Sequence, residues 1–149
     1  MTIETPFGPI HAACNAEGKL TELKFGPGAG SANGTGNPAV ARQLSEYFAG
    51  RRQEFDLPLA PVGTEFQKRI WAELARIPFG ETVSYSELAR RVGKQGAARA
   101  VGRANATNPI AIVVPCHRVI GADGSLTGYA YGVDLKRSLL DFERERAGS

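Results

Sequence analysis

Apolar and polar positions near the start of the chain follow a two-residue period. Thr21, Leu23 and Phe25 alternate with Glu22 and Lys24, as in a half-buried strand. PIHAAC precedes them across NAEGK, which has turn chemistry, so residues 1–25 read as strands, with Cys14 a small buried filler. GPGAGSANGTGN, residues 26–37, is too rich in Gly, Ser and Asn to pack and reads as a flexible loop. Val40, Leu44, Tyr47 and Phe48 then recur at helical spacing, and Gly50 stops that helix. FDLPL predicts a short strand with Phe55, Leu57 and Leu59 on one face; Pro58 places it at an edge.

The pattern changes near APVGTEF, which divides residues 1–60 from residues 61–149. Thr64 and Gln67 have the spacing of a capping box. Phe66, Ile70, Trp71 and Leu74 form the inner face of the helix that follows, and Pro78 and Gly80 end it. Ser84 and Glu87 repeat the cap spacing, Leu88, Ala89 and Val92 make the next stripe, and Gly93 is placed for a left-handed stop. After KQG comes AARAVGRANA, in which Ala97, Ala98, Val101 and Ala104 are small and Arg99 and Arg103 share a face. Two short helices around a Gly-containing turn match a helix-turn-helix; an ordinary helical hairpin gives the same spacing. The apolar run at 110–114 reads as a strand ended by Pro115. GADGSLTGYAYG is a loop, after which Asp134 caps a last helix with Leu135, Leu139 and Phe142 inward. No internal repeat is present.

With 149 residues and a hydrophobic fraction of 42%, the chain can build one ordinary domain or two small lobes. The net charge is +3, but from Leu88 to Ala122 there is no Asp or Glu, while Arg90, Arg91, Lys94, Arg99, Arg103 and Arg118 all fall inside. A one-signed segment suggests an anionic partner, nucleic acid first, against the alternative of a solvated basic face. No signal peptide and no membrane-length run is read, so a reducing cytosol is expected and a disulfide is not. With only His11 and His117 to join two cysteines, a metal set is not expected.

PCHR, residues 115–118, places a cysteine beside a base and a cation. A free thiol titrates near ~8.5 and the thiolate is the nucleophile, so Cys116 needs a base or a positive environment to react. Pro115 puts Cys116 at a strand end or turn, where His117 can reach it directly or through one water. An acid should orient the imidazole; Glu143, Asp123 and Asp141 are candidates that spacing does not separate. An inert buried cysteine is the alternative.

PCHRVIG preceded by NP, GETVSYSELA and AARAVGRAN upstream, and LTGYAYGVDLKRSLLDFE downstream resemble the O6-alkylguanine-DNA alkyltransferases, the methylated-DNA–protein-cysteine methyltransferases. The similarity is continuous over residues 66–143 and looser over residues 1–60. It implies an α/β fold in two parts: a small ribonuclease-H-like α/β lobe, and a mostly helical lobe with a helix-turn-helix. It implies single-use, irreversible transfer of an alkyl group from the O6 of guanine in double-stranded DNA to Cys116, with the base flipped out and no cofactor. His117 matches the base acting through a water and Glu143 the carboxylate that holds it. Asn108 matches the hinge asparagine, and Tyr85 the tyrosine beside the target phosphate that donates to the base ring. Arg99 matches the arginine that fills the gap left by the flipped guanine, on a helix where Ala98 and Arg103 also face DNA. Val119, Tyr129 and Lys136 match positions at or near the guanine pocket, Lys136 the least directly. A cytoplasmic monomer is expected, with cooperative assembly along DNA a further option.

Two departures bear on this. The family commonly has a serine or small residue and then glycine after the tyrosine; here stand Ala130 and Tyr131. A hydroxyl donor is lost, and Tyr131 is expected to narrow the pocket against bulky adducts. The N-terminal lobe also lacks the zinc ligands of some relatives. Competing readings are a non-reacting alkylated-DNA-binding module of the same fold, a major-groove regulator, and a Cys-His hydrolase. Cys116 speaks against the first and the alanine-rich helix against the second; the third requires an oxyanion hole.

Overall fold

The computed structural model describes residues 2–26, 37–126 and 129–147. They form two compact units, one of residues 1–62 and 109–113, the other of residues 63–108 and 114–149. Most of the loop expected to be flexible, residues 27–36, lies outside the described residues, as do Thr127 and Gly128.

The first unit is built on an antiparallel meander, β1 (Thr2–Thr5), β2 (Gly8–Cys14) and β3 (Leu20–Phe25), in the order β1-β2-β3. At the β1–β2 turn Thr5 Oγ1 donates to the Gly8 carbonyl at 2.6 Å and accepts from the Phe7 amide at 3.1 Å. Gly8 sits there at φ 104, which favours glycine. The Asn15 side chain accepts from the Glu17 and Lys19 amides, closing the β2–β3 turn as an Asx turn. Helix α1 (Pro38–Phe48) starts on an Asn37 cap with proline in its first turn and buries Val40, Gln43, Leu44 and Tyr47. The core joins these to Ile10, Ala12, Leu20, Leu23, Ile110 and Ile112.

Two expected strands in this unit are not strands. In FDLPL the exposure alternates as expected, but backbone pairing is confined to a bridge between Leu59 and Leu20. Pairing of residues 110–114 is likewise limited to an Ile110–Leu23 bridge. The chain then turns, with Ile112 at φ 68 and the Val113 amide on the Ala111 carbonyl at 2.7 Å. Ile110, Ala111, Ile112 and Val114 are apolar because they are buried, and a short apolar run does not distinguish that from a sheet interior. Cys14 is half-buried at the end of β2, beside a bulge, and does not fill the core.

The second unit is mostly helical. Helix α2 (Glu65–Leu74) carries the complete capping box: Thr64 accepts from the Gln67 amide, and the Gln67 side chain accepts from the Thr64 amide. Such a cap is worth about 1 kcal/mol. The helix ends at Leu74, before Pro78 and Gly80, and Ile77 turns inward. Trp71 is buried, and its indole donates to the Ala104 carbonyl at 2.8 Å. Strand β4 (Val83–Ser84) leads into α3 (Tyr85–Arg91), capped by Ser84. Glu87 does not complete the expected box, because its carboxylate is taken by Arg90 and Arg91. Gly93 and Gly96 turn the chain at φ 72 and 84 into α4 (Ala98–Ala106). A 3-10 turn (Cys116–Arg118) follows, then β5 (Val119–Ile120), which pairs in parallel with β4. Helix α5 (Val133–Ala147) starts one residue before Asp134, so that residue lies in the first turn and is not the cap. Its buried face holds Lys136, Leu139, Leu140, Phe142 and Glu143, while Leu135 is half-buried. No helix among the described residues is long and apolar enough to cross a membrane.

Candidate active site

The 3-10 turn after Pro115 sets Cys116 beside Asn105 of α4 and His117 beside Glu143 of α5. Cys116 is 5% exposed, and its amide bonds to the Val114 carbonyl at 2.8 Å. Asn108, two residues past α4, donates from its side chain to the same Val114 carbonyl at 2.7 Å. That bond ties the helix-turn-helix to the cysteine turn. Asn105, on the inner face of α4, donates to the Cys116 carbonyl at 3.3 Å.

His117 is fully buried, with Nε2 2.8 Å from Glu143 Oε2. A carboxylate only accepts, so Nε2 carries the proton and Nδ1 the lone pair. Nδ1 has no hydrogen-bond partner among the described residues. The other candidate acids lie elsewhere: Asp123 is exposed and accepts from the Ser125 amide, and exposed Asp141 pairs with Arg144 at 3.8 Å. Arg118 is buried against Glu143, with Nε to Oε1 and Nη2 to Oε2 each at 2.8 Å. This corrects its expected place in a basic surface. Arg90 and Arg91 are also paired, on Glu87.

Charges in this cluster are strongly biased by burial. Desolvation pushes the Cys116 thiol above its ordinary value, against a hydrogen bond from Asn108 and the charge of Lys136. The resting cysteine is therefore held as a thiol and needs a base to react. Burial lowers His117, with Glu143 opposing and Arg118 and Lys136 reinforcing. Glu143 is held well below the usual carboxylate range: burial opposes this, and the contacts with His117 and Arg118 outweigh it. Lys136 is fully buried in α5 and depressed by desolvation, with Cys116 acting the other way.

Tyr85 opens α3 with its side chain half-buried; desolvation first and Cys116 second raise its hydroxyl, and a hydrogen bond with Asn105 opposes them. Lys136 Nζ stands 5.7 Å from its ring centroid, and a Cβ at Gly102 would lie 3.8 Å from Tyr85 Cδ1. Val119 is buried in β5. Tyr129 is nearly buried, with the Tyr131 ring edge-on at 5.5 Å, and Ala130 between them is exposed. Arg99 and Arg103 are exposed on α4 without a carboxylate partner among the described residues; Ala98 is half-buried at its first turn. Cys116, His117, Glu143, Asn108, Tyr85 and Lys136 are thus brought together, and Arg99 and Arg103 stand apart on the helix surface. Asn105 and Arg118 were missed as site residues. Asn105 is the one polar member of the inner stripe of α4, and Arg118 directly follows the histidine. No cluster of His, Cys, Asp or Glu able to hold a metal lies among the described residues.

Two domain families match the chain. The 6-O-methylguanine DNA methyltransferase ribonuclease-like domain covers residues 1–61, and the DNA-binding domain of the same methyltransferase covers residues 65–145. The chain is similar to the methylated-DNA–protein-cysteine methyltransferase of Methanosarcina barkeri, 52% identical over 95% of this chain and 94% of that one. The protein of that name from Mycobacterium tuberculosis is 47% identical over 98% and 92%. The crystal structure of Mycobacterium tuberculosis OGT in complex with DNA is 48% identical, covering 97% of this chain and 92% of that chain, with a TM-score of 0.88. A buried cysteine turn, its histidine and its carboxylate lie within the stretch matched by the DNA-binding domain, and the chain belongs to the 6-O-methylguanine DNA methyltransferase family.

Proposed function

We infer that this chain repairs DNA by moving the methyl group of O6-methylguanine onto the Cys116 sulfur, irreversibly and once per molecule. The observation that carries this reading is the buried Cys116–His117–Glu143 cluster, with Nε2 of the imidazole on the carboxylate and Nδ1 left to take a proton. The thiol proton passes to Nδ1 through a water. The sulfur attacks the methyl carbon, a C–S bond forms, and the C–O6 bond breaks with its electron pair going to guanine. Tyr85 hydrogen-bonds or protonates the guanine ring as that charge develops. Asn108 holds the cysteine turn against the end of α4. The product is a thioether and an unmodified guanine, and no cofactor takes part.

The methyl carbon lies inside the duplex, so the nucleotide must rotate out, at a cost of a few kcal/mol. Arg99 enters the stack in its place, and Ala98 and the other small residues of α4 allow close approach along the minor groove. Arg103 adds salt-sensitive, sequence-independent affinity. Val119, Tyr129, Ala130, Tyr131 and Lys136 line the pocket for the extruded base. Residues 61–149 act as the DNA-binding and acceptor domain and residues 1–60 as the α/β lobe, in a cytoplasmic monomer.

The test is stoichiometry. Excess duplex carrying O6-methylguanine is mixed with the protein and the modified base is counted by chromatography. The expected result is one modified base lost per protein molecule and then none. Continued loss would point to a hydrolase, and binding without loss to a non-reacting module.

A further inference from the structure

We propose that Arg118 is a positioning residue for the base: its guanidinium fixes the Glu143 carboxylate and supplies a buried positive charge that helps burial keep the His117 imidazole unprotonated. The inference rests on the repair reading for its kinetic arm alone. In sequence Arg118 belongs to a basic stretch and looks available to DNA. In the structure it is 5% exposed and spent entirely on the protein. Nε and Nη2 form a two-pronged pair with Oε1 and Oε2 of Glu143, each at 2.8 Å. Nη1 donates to the Ile77 carbonyl at 2.6 Å, and the guanidinium carbon stands 5.7 Å from the Phe79 ring centroid.

Oε2 of Glu143 is shared between Arg118 Nη2 and His117 Nε2. The fork therefore sets the plane of the carboxylate and, through it, which imidazole nitrogen carries hydrogen. Charge counting gives the second half of the role. Glu143 is anionic and fully buried, and Arg118 balances it with the imidazole neutral. Without the guanidinium, Glu143 would lose the cation that contacts both of its oxygens in a dry site. His117 touches that carboxylate, so its protonation becomes more favourable, and the added proton would occupy the position needed for the thiol proton. The charges that bear on the imidazole are Glu143 and Lys136 of α5 and Arg118 beside it. Lys136 also acts on Cys116, each charge favouring the ionised form of the other.

Single-turnover methyl transfer is measured against pH for wild type, Arg118→Met and Arg118→Lys, with the His117 protonation midpoint and tautomer followed by NMR in each protein. Arg118→Met is expected to raise the His117 midpoint, and with it the low-pH limb of the rate, by about one unit or more. A midpoint and limb unchanged from wild type would overturn the proposal. Arg118→Lys keeps the charge and serves even if the Met variant fails to fold. It should leave the limb in place, lower the plateau rate about tenfold or more and mix the tautomers, because one ammonium does not fix a carboxylate plane. A wild-type plateau and tautomer in Arg118→Lys would also overturn it. Failure of wild type to transfer methyl at any pH would sink the repair reading, while the NMR arm would still decide the role of Arg118.

Discussion

The two units bury polar groups in very different ways. Among the described residues the first buries His11 and Gln43, while the second buries Asn105, Asn108, His117, Arg118, Lys136 and Glu143. Gln43 is structural: its side chain accepts from the Asp56 amide at 2.8 Å and donates to the Asp56 carbonyl at 3.0 Å, pinning a segment without a ladder to α1. The six groups of the second unit gather about the cysteine turn. Buried ionisable groups are weak contributors to net stability, since desolvation offsets their attraction. Their concentration on one side of the comparison marks where the fold gives up stability for reactivity.

The largest expected effects come from breaking that cluster. Glu143→Gln should slow methyl transfer by about 10²–10⁴, the range of a lost acid–base arrangement, and stopped single-turnover assays would show it. It should also lower unfolding free energy by about 3–5 kcal/mol, because Arg118 is left buried without its counter-charge. A Glu143→Gln protein as fast as wild type would remove the carboxylate from the account. In the first unit, Gln43→Leu is expected to cost about 1–3 kcal/mol in denaturant titration and leave the rate constant per folded molecule unchanged. A rate loss there would erase the contrast between the units.

The same contrast has a pH signature. His117 and Glu143 are both held below their ordinary values in the fold. Each therefore contributes stability that is full above its unfolded value and lost as pH falls towards the folded one. The loss begins below about 6.5 for His117 and deepens below about 4.3 for Glu143. Chemical denaturation across this range should show both falls, and His117→Gln should abolish the first. The smallest effect concerns selectivity: with Tyr131 edge-on to Tyr129, Tyr131→Gly is expected to raise the benzyl-to-methyl rate ratio several-fold. An unchanged ratio would take Tyr131 out of the pocket wall.

Local chemistry was legible wherever one short stretch determines it. Thr64 with Gln67, Ser84, Gly93 and the inner stripes of α2 and α3 follow from spacing because caps and helix faces are set within a few residues. Residues 110–114 were misread because an apolar run records burial, whereas the left-handed Ile112 that bends it depends on what surrounds the run. Arg118 was misread for a related reason: a cation's partner can be distant in sequence, here Glu143. Lys136 carries no local sign of burial, since it lies on a helix whose orientation is set by packing. The relation of Cys116 and His117 to one turn was readable from PCHR; the raised thiol was not, because desolvation is a property of the whole unit.

The central claim is that the methyl group ends on one sulfur. Protein reacted with a duplex bearing O6-methylguanine labelled in the methyl group can be digested and the label located by peptide mass spectrometry. The account predicts a single labelled peptide with the methyl on Cys116, and none in Cys116→Ala. Label on Cys14, or a duplex repaired by Cys116→Ala, would contradict it.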